Sequence, residues 1–141
     1  MLFNYTGKTI KPEEAKRVNA LSLAFIGDAV FEVMVREYLI INNLNLSAHK
    51  LHLKAVSYVK ANSQRAIFRR LQKYLTEDEI YIYKKGRNTK SPTMPKNATV
   101  SDYRAATGFE CLIGYLYITG QSHRIQEIMD IIFDENKAAE E

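Results

Sequence analysis

The stretch Leu21-Ser22-Leu23-Ala24-Phe25-Ile26-Gly27-Asp28-Ala29-Val30-Phe31-Glu32-Val33-Met34-Val35-Arg36-Glu37-Tyr38-Leu39-Ile40-Ile41 decides how the chain is read. Fifteen of its 21 residues are apolar, without proline and without strict alternation. A run of that kind is helical, and at this length a helix spans about 30 Å. The apolar positions fall almost all round, so the expectation is a central, buried helix. Asp28 conflicts with that burial. At about 100° per residue, Asp28, Glu32 and Arg36 form one polar stripe on the helix.

Outward from this segment the pattern stays helical, with no hairpin signal. Pro12 suits the first turn of a short helix to about Asn19. Asn42, Asn43 and Asn45 break the long helix, and Ser47 caps the next. A helix follows over about Lys60 to Tyr74, with Ile67, Phe68 and Leu71 inward and Arg65, Arg69 and Lys73 four apart. Thr76 and Glu79 fit a capping box that starts a helix to about Lys85. Residues 86–99 carry Pro92, Pro95 and no periodicity, and read as a loop. Helix resumes near Ser101 and stops at Gly120. A last helix runs from Ser122 to about Lys137, with Ile125, Ile128, Met129, Ile132 and Phe133 as its apolar stripe. The prediction is an all-α single domain over 1–141 with about seven helices.

Composition narrows the function classes. With 46% hydrophobic and 26% charged residues, the composition argues against disorder. One cysteine, Cys111, allows no disulfide framework and no multi-cysteine zinc site. No signal pattern opens the chain, and its longest charge-free run, Cys111 to His123, has 13 residues, short of the roughly 20 a membrane helix needs. The expected setting is therefore the cytoplasm, with no membrane partner. The net charge of +4 is unevenly spread: Tyr38 to Ser101 carries +9 and the remainder −5. Such segregation favours a polyanion. No phosphate-binding glycine loop or dinucleotide fingerprint occurs.

A second acid shares the anomaly of Asp28. Glu110 lies in the apolar run Ala105-Ala106-Thr107-Gly108-Phe109-Glu110-Cys111-Leu112-Ile113-Gly114. A carboxylate in a core is paired, protonated, open to a cleft or bound to metal. Gly27, Ala106 and Gly114 remove bulk, which would let two helices approach and bring Asp28 near Glu110. Two explanations are open. Asp28 and Glu32 could pair with Arg36 or Arg104 and lock the helices. Alternatively Asp28 and Glu110 form a site for a hard divalent cation, whose preferred ligands are carboxylate oxygens. His49 and His52, three apart, have no local acid or cysteine to complete a metal site. Cys111 reads as a small core residue.

Leu23 to Glu32, with its core Phe25-Ile26-Gly27-Asp28-Ala29-Val30, resembles the signature helix of the ribonuclease III family. Thr107 to Gly114 resembles that family's later metal-binding helix. Gly86-Arg87-Asn88, Pro95-Lys96-Asn97 and Asp102-Tyr103-Arg104 add a resemblance to its short Mini-ribonuclease III branch. The resemblance spans nearly the whole chain. It implies the helical endonuclease-domain fold, a homodimer, and Mg²⁺-dependent cleavage of double-stranded RNA (Mn²⁺ as a substitute) to 5′-phosphate and 3′-hydroxyl ends. It further implies maturation of precursor 23S ribosomal RNA. Asp28 and Glu110 are then the catalytic and metal-binding pair. Longer family members have a Glu where this chain has Ala24 and an Asp where it has Thr107, so two of four carboxylates remain.

Longer members also append a double-stranded-RNA-binding domain, for which the final helix leaves no room. The catalytic domain is expected to grip RNA itself, through Lys84, Lys85, Arg87, Lys90 and Lys96, with Asn97 and Arg104 near the site. Loop 86–99 is the expected contact segment. The competing reading is a non-catalytic RNA-binding or ribosome-associated module on the same fold. A third, a helical protein adaptor, rests only on the long apolar helix.

Overall fold

The computed structural model describes residues 3–90 and 99–134. Seven α-helices occur among them: α1 (Pro12–Ala15), α2 (Ala20–Asn42), α3 (Ala48–Val59), α4 (Ala61–Leu71), α5 (Glu77–Arg87), α6 (Val100–Ile118) and α7 (Ser122–Phe133). A 3-10 turn, Gln72–Tyr74, extends α4, and the described residues contain no strand.

Side-chain caps set most of the helix starts. Ser47 accepts from Lys50 N, and Thr99 from Asp102 N. Thr76 and Glu79 close the reciprocal capping box expected from their spacing. At the far end of α6, Gly120 takes φ +77°. Its N–H donates to Tyr117 O, and Gln121 N–H donates to Leu116 O, so the last carbonyls of α6 are satisfied.

Three boundaries differ from the sequence reading. α1 ends at Ala15 and not near Asn19, because the Asn19 side chain caps α2, accepting from Leu21 N at 2.8 Å. α5 continues to Arg87, which puts Gly86 inside a helix and not at the head of a loop. Gly86 is there because α5 presses on α6: a Cβ would lie 2.6 Å from Cys111 Cβ. α7 ends at Phe133, and Lys137 lies outside the described residues, as do residues 91–98 of the expected loop.

The central helix is α6, not α2. α6 packs against α2, α4, α5 and α7, and every residue from Ala105 to Leu116 is buried except Glu110. α2 buries one face only, through Leu23, Ala24, Gly27, Val30, Phe31, Val35 and Leu39. Its other face leaves Phe25 81% and Val33 62% exposed. An all-round apolar helix needs cover on both faces, and this chain covers one.

The α2–α6 contact is made by backbone. A Cβ on Gly27 would lie 1.8 Å from Glu110 O, and one on Gly114 1.9 Å from Leu23 O. Next to it, Phe31 meets Phe109 edge-on at 5.0 Å between ring centroids. The far side of the fold is tied by an ion pair. Arg124 donates to both carboxylate oxygens of Glu79, at 2.7 and 2.9 Å, and to Tyr74 O. Burial alone would raise the Glu79 carboxyl, but the Arg124 and Thr76 bonds prevail and hold it below its usual value.

Gly27→Ala is expected to force α2 and α6 apart, because the obstacle is a carbonyl that no rotamer change can move. Overpacking of this kind costs about 1–3 kcal/mol. A urea denaturation midpoint equal to that of the unaltered protein would show that the contact is not close in solution.

Candidate active site

The backbone contact that joins α2 to α6 also builds the site. Gly27 rests on the carbonyl of Glu110, so Asp28, the next residue, comes into hydrogen-bonding range of the Glu110 carboxyl. The two acids share one cleft of about 600 Å³, lined also by Glu32, Lys60, Asn62, Gln64, Asp102 and Tyr103. Asp28 is exposed in this cleft, while Glu110 is mostly enclosed.

This arrangement separates the two readings of the acids. Arg36 pairs with Glu32 at 3.5 Å, one turn beyond Asp28, and Arg65 pairs with Asp102 at 3.2 Å on the rim. No ion pair to Asp28 or Glu110 occurs among the described residues. The helices are locked by the glycine contacts.

Electrostatics point the same way. Burial, then the bond to Asp28 and its charge, push the Glu110 carboxyl up to about 9, against a smaller opposing bond from Gln64. A divalent cation would relieve both causes at once. The donors present, carboxylate and amide oxygens on an open cleft, are those that hard cations prefer. Asp28 and Glu110 would hold such an ion. No group of three or more His, Cys, Asp or Glu side chains that could hold a metal converges among the described residues, at His49 and His52 or elsewhere. Ala24 and Thr107 add no ligand: Ala24 is buried, and the Thr107 hydroxyl donates to Tyr103 O. Burial pushes the Cys111 thiol up to about 11, which excludes it as a nucleophile.

The basic residues divide. Lys84, Lys90 and Arg104 are exposed, and Arg87 is half-buried with its guanidinium 5.9 Å from the Tyr83 ring. Lys85 departs from expectation. Its ammonium turns inward, donating to Val18 O at 2.9 Å and to Lys16 O, and so ties α5 to the α1–α2 link. Lys96 and Asn97 lie outside the described residues. Sequence reasoning missed Lys60, Asn62 and Gln64, which the α3–α4 corner brings to the cleft. The signal for Gln64 was a polar side chain on the Ile67, Phe68 and Leu71 stripe.

A family model for the Ribonuclease III domain matches residues 21–121, which include both carboxylates. The chain belongs to the ribonuclease III family. Relatives place it in the Mini-ribonuclease III branch. It is 46% identical to Mini-ribonuclease 3 of Clostridium tetani over 92% of this chain and 86% of that protein. It is 43% identical to Mini-ribonuclease 3 of Enterococcus faecalis, over 82% and 88% respectively. A crystal structure of a protein from Fusobacterium nucleatum superimposes with a TM-score of 0.76 at 29% identity, covering 85% of this chain and 95% of that one. As a ribonuclease III family member, the chain is an endoribonuclease. No helix among its described residues is long and apolar enough to cross a membrane.

The raised Glu110 carboxyl has a thermodynamic signature. The folded, cation-free chain keeps this proton up to about pH 9, whereas the unfolded chain releases it near 4.5. The folded state therefore binds the extra proton between those values. The corresponding stability is complete below about pH 4.5 and is lost as pH rises toward 9. In EDTA, Glu110→Gln should melt progressively higher than the unaltered protein as pH is raised from about 5 to about 8.5. Melting curves that stay parallel across that range would contradict the shift.

Proposed function

We propose that this chain cleaves double-stranded RNA in the Asp28–Glu110 cleft, in a Mg²⁺-dependent reaction that Mn²⁺ can also support. The products carry 5′-phosphate and 3′-hydroxyl ends. The observation that carries this reading is the pair of carboxylates brought to one cleft by the Gly27 and Gly114 contacts, with no ion pair to either acid among the described residues. Asp28 and Glu110 hold the cation. When bound, it activates water and neutralises charge on the scissile phosphate. Gly27 and Gly114 bring the two acids together, and Asp102, which lines the same cleft, is paired with Arg65.

Duplex binding falls to Lys84, Arg87, Lys90 and Arg104, together with Lys96 and Asn97. Lys85 serves the fold instead. The working unit is a homodimer. The open face of α2, with Phe25, Val33 and Ile41 exposed, is an apolar stripe suited to a second copy of itself. A two-fold pair presents two clefts, one for each strand across the minor groove of the duplex. Precursor 23S ribosomal RNA as the substrate and the cytoplasm as the setting are what the resemblance of the two signature helices implies.

Asp28→Asn should lower the cleavage rate roughly 10³-fold or more, with the fold intact because the side chain is exposed. Cleavage of a duplex RNA by the unaltered protein should need Mg²⁺ and vanish in EDTA. Tight binding without cleavage in Mg²⁺ would favour the non-catalytic module instead.

Neutralising Lys84, Arg87 and Lys90 together, with Lys85 retained, should weaken binding to unrelated duplexes alike. It should also flatten the salt dependence, by roughly one unit of slope for each phosphate that no longer meets a cation. An unchanged slope would remove this segment from the interface.

A further inference from the structure

One polar atom at the cleft has no hydrogen-bond partner among the described residues. Gln64 lies on the buried face of α4, 1% exposed, in the stripe formed by Ile67, Phe68 and Leu71. Its Nε2 donates to Val59 O at 3.0 Å, tying the side chain across the corner between α3 and α4. That bond fixes the amide, because the reverse orientation would set two oxygens against each other at Val59. The remaining atom, Oε1, is the buried acceptor that accepts nothing from those residues. An orphaned interior acceptor costs about 1–3 kcal/mol, a cost that an apolar residue on this stripe would avoid.

The orphan is enclosed in the wall of the cleft. Gln64 lines the same cleft as Asp28 and Glu110, and its side chain reaches the Glu110 carboxyl. The other oxygen-bearing side chains of the cleft lining are Asn62, Tyr103, Asp102 and Glu32, the last paired with Arg36. Asp102 is held by Arg65. A hydrated Mg²⁺ or Mn²⁺ keeps several of its waters, each a hydrogen-bond donor in need of an acceptor.

We propose that Gln64 Oε1 is the third oxygen of the cation site: it accepts a hydrogen bond from a water of the ion and holds that ion against Asp28 and Glu110. Gln64 is thus a positioning residue. The inference rests on the reading that this cleft binds a divalent cation. Partners of this kind change metal affinity by about 10–100-fold when removed.

Mn²⁺ binding to the full chain, followed by electron paramagnetic resonance of the free ion, tests this apart from any cleavage assay. Gln64→Met removes the oxygen and should weaken Mn²⁺ binding about 10–100-fold. Gln64→Glu keeps an oxygen but cannot donate to Val59, and should bind Mn²⁺ at least as tightly as the unaltered protein. If Gln64 only locked the α3–α4 corner, both variants would melt lower and neither would change Mn²⁺ affinity, which would overturn the proposal. Equal weakening in the two variants would overturn it as well. Mn²⁺ binding lost in Asp28→Asn yet unaffected in Gln64→Met would overturn this inference alone. An unaltered protein that binds no Mn²⁺ would bring down the cation site itself.

Discussion

Where α2 crosses α6, a methyl group at Gly27 would lie 1.8 Å from Glu110 O, and one at Gly114 1.9 Å from Leu23 O. This reciprocal contact of glycine with carbonyl is closer than any pair of side chains would allow. It determines which residues follow. Asp28 comes next after Gly27, and the carbonyl that Gly27 touches belongs to Glu110, so two acids meet because two backbones do. The aromatic contact of Phe31 with Phe109 continues the same helix crossing toward the core. The glycines thus serve as both packing and site.

The electrostatic consequence is a carboxyl at Glu110 that resists ionisation, through burial and through its neighbour Asp28. Elsewhere the fold deals with a buried acid differently. Glu79 is also enclosed but receives a forked Arg124 and the Thr76 N–H, and its carboxyl is held low. The contrast between Glu79 and Glu110 lies in where a counterion can come from. The first has its counterion supplied by the chain, and the second has a cleft where a counterion can enter.

Much of this was legible in the sequence, for local reasons. Asp28 and Glu110 stood out because acids interrupt apolar helices, and Gly27 and Gly114 because small residues flank them. Thr76 with Glu79, Ser47 and Gly120 are short-range signals whose partners lie within a few residues. The α1 end apart, which a local Asn19 cap sets, the misreadings have a different cause, which is distance along the chain. Lys85 reads as part of a basic run until its ammonium meets the carbonyls of Lys16 and Val18. Gly86 reads as a loop residue until α5 is seen against Cys111. An apolar pattern on every side of α2 does not say whose surface covers it, and half of it stays uncovered within one chain. Gln64 was hidden for the same reason, since its burial depends on three helices meeting.

The α2–α6 crossing is proposed to create a cation site from Asp28 and Glu110. Anomalous diffraction from crystals of the protein grown with Mn²⁺ tests it most directly. An anomalous peak is expected between the Asp28 and Glu110 carboxylates, and it would also count the ions bound. Peaks found only elsewhere, as at His49 and His52, with that cleft empty would contradict it.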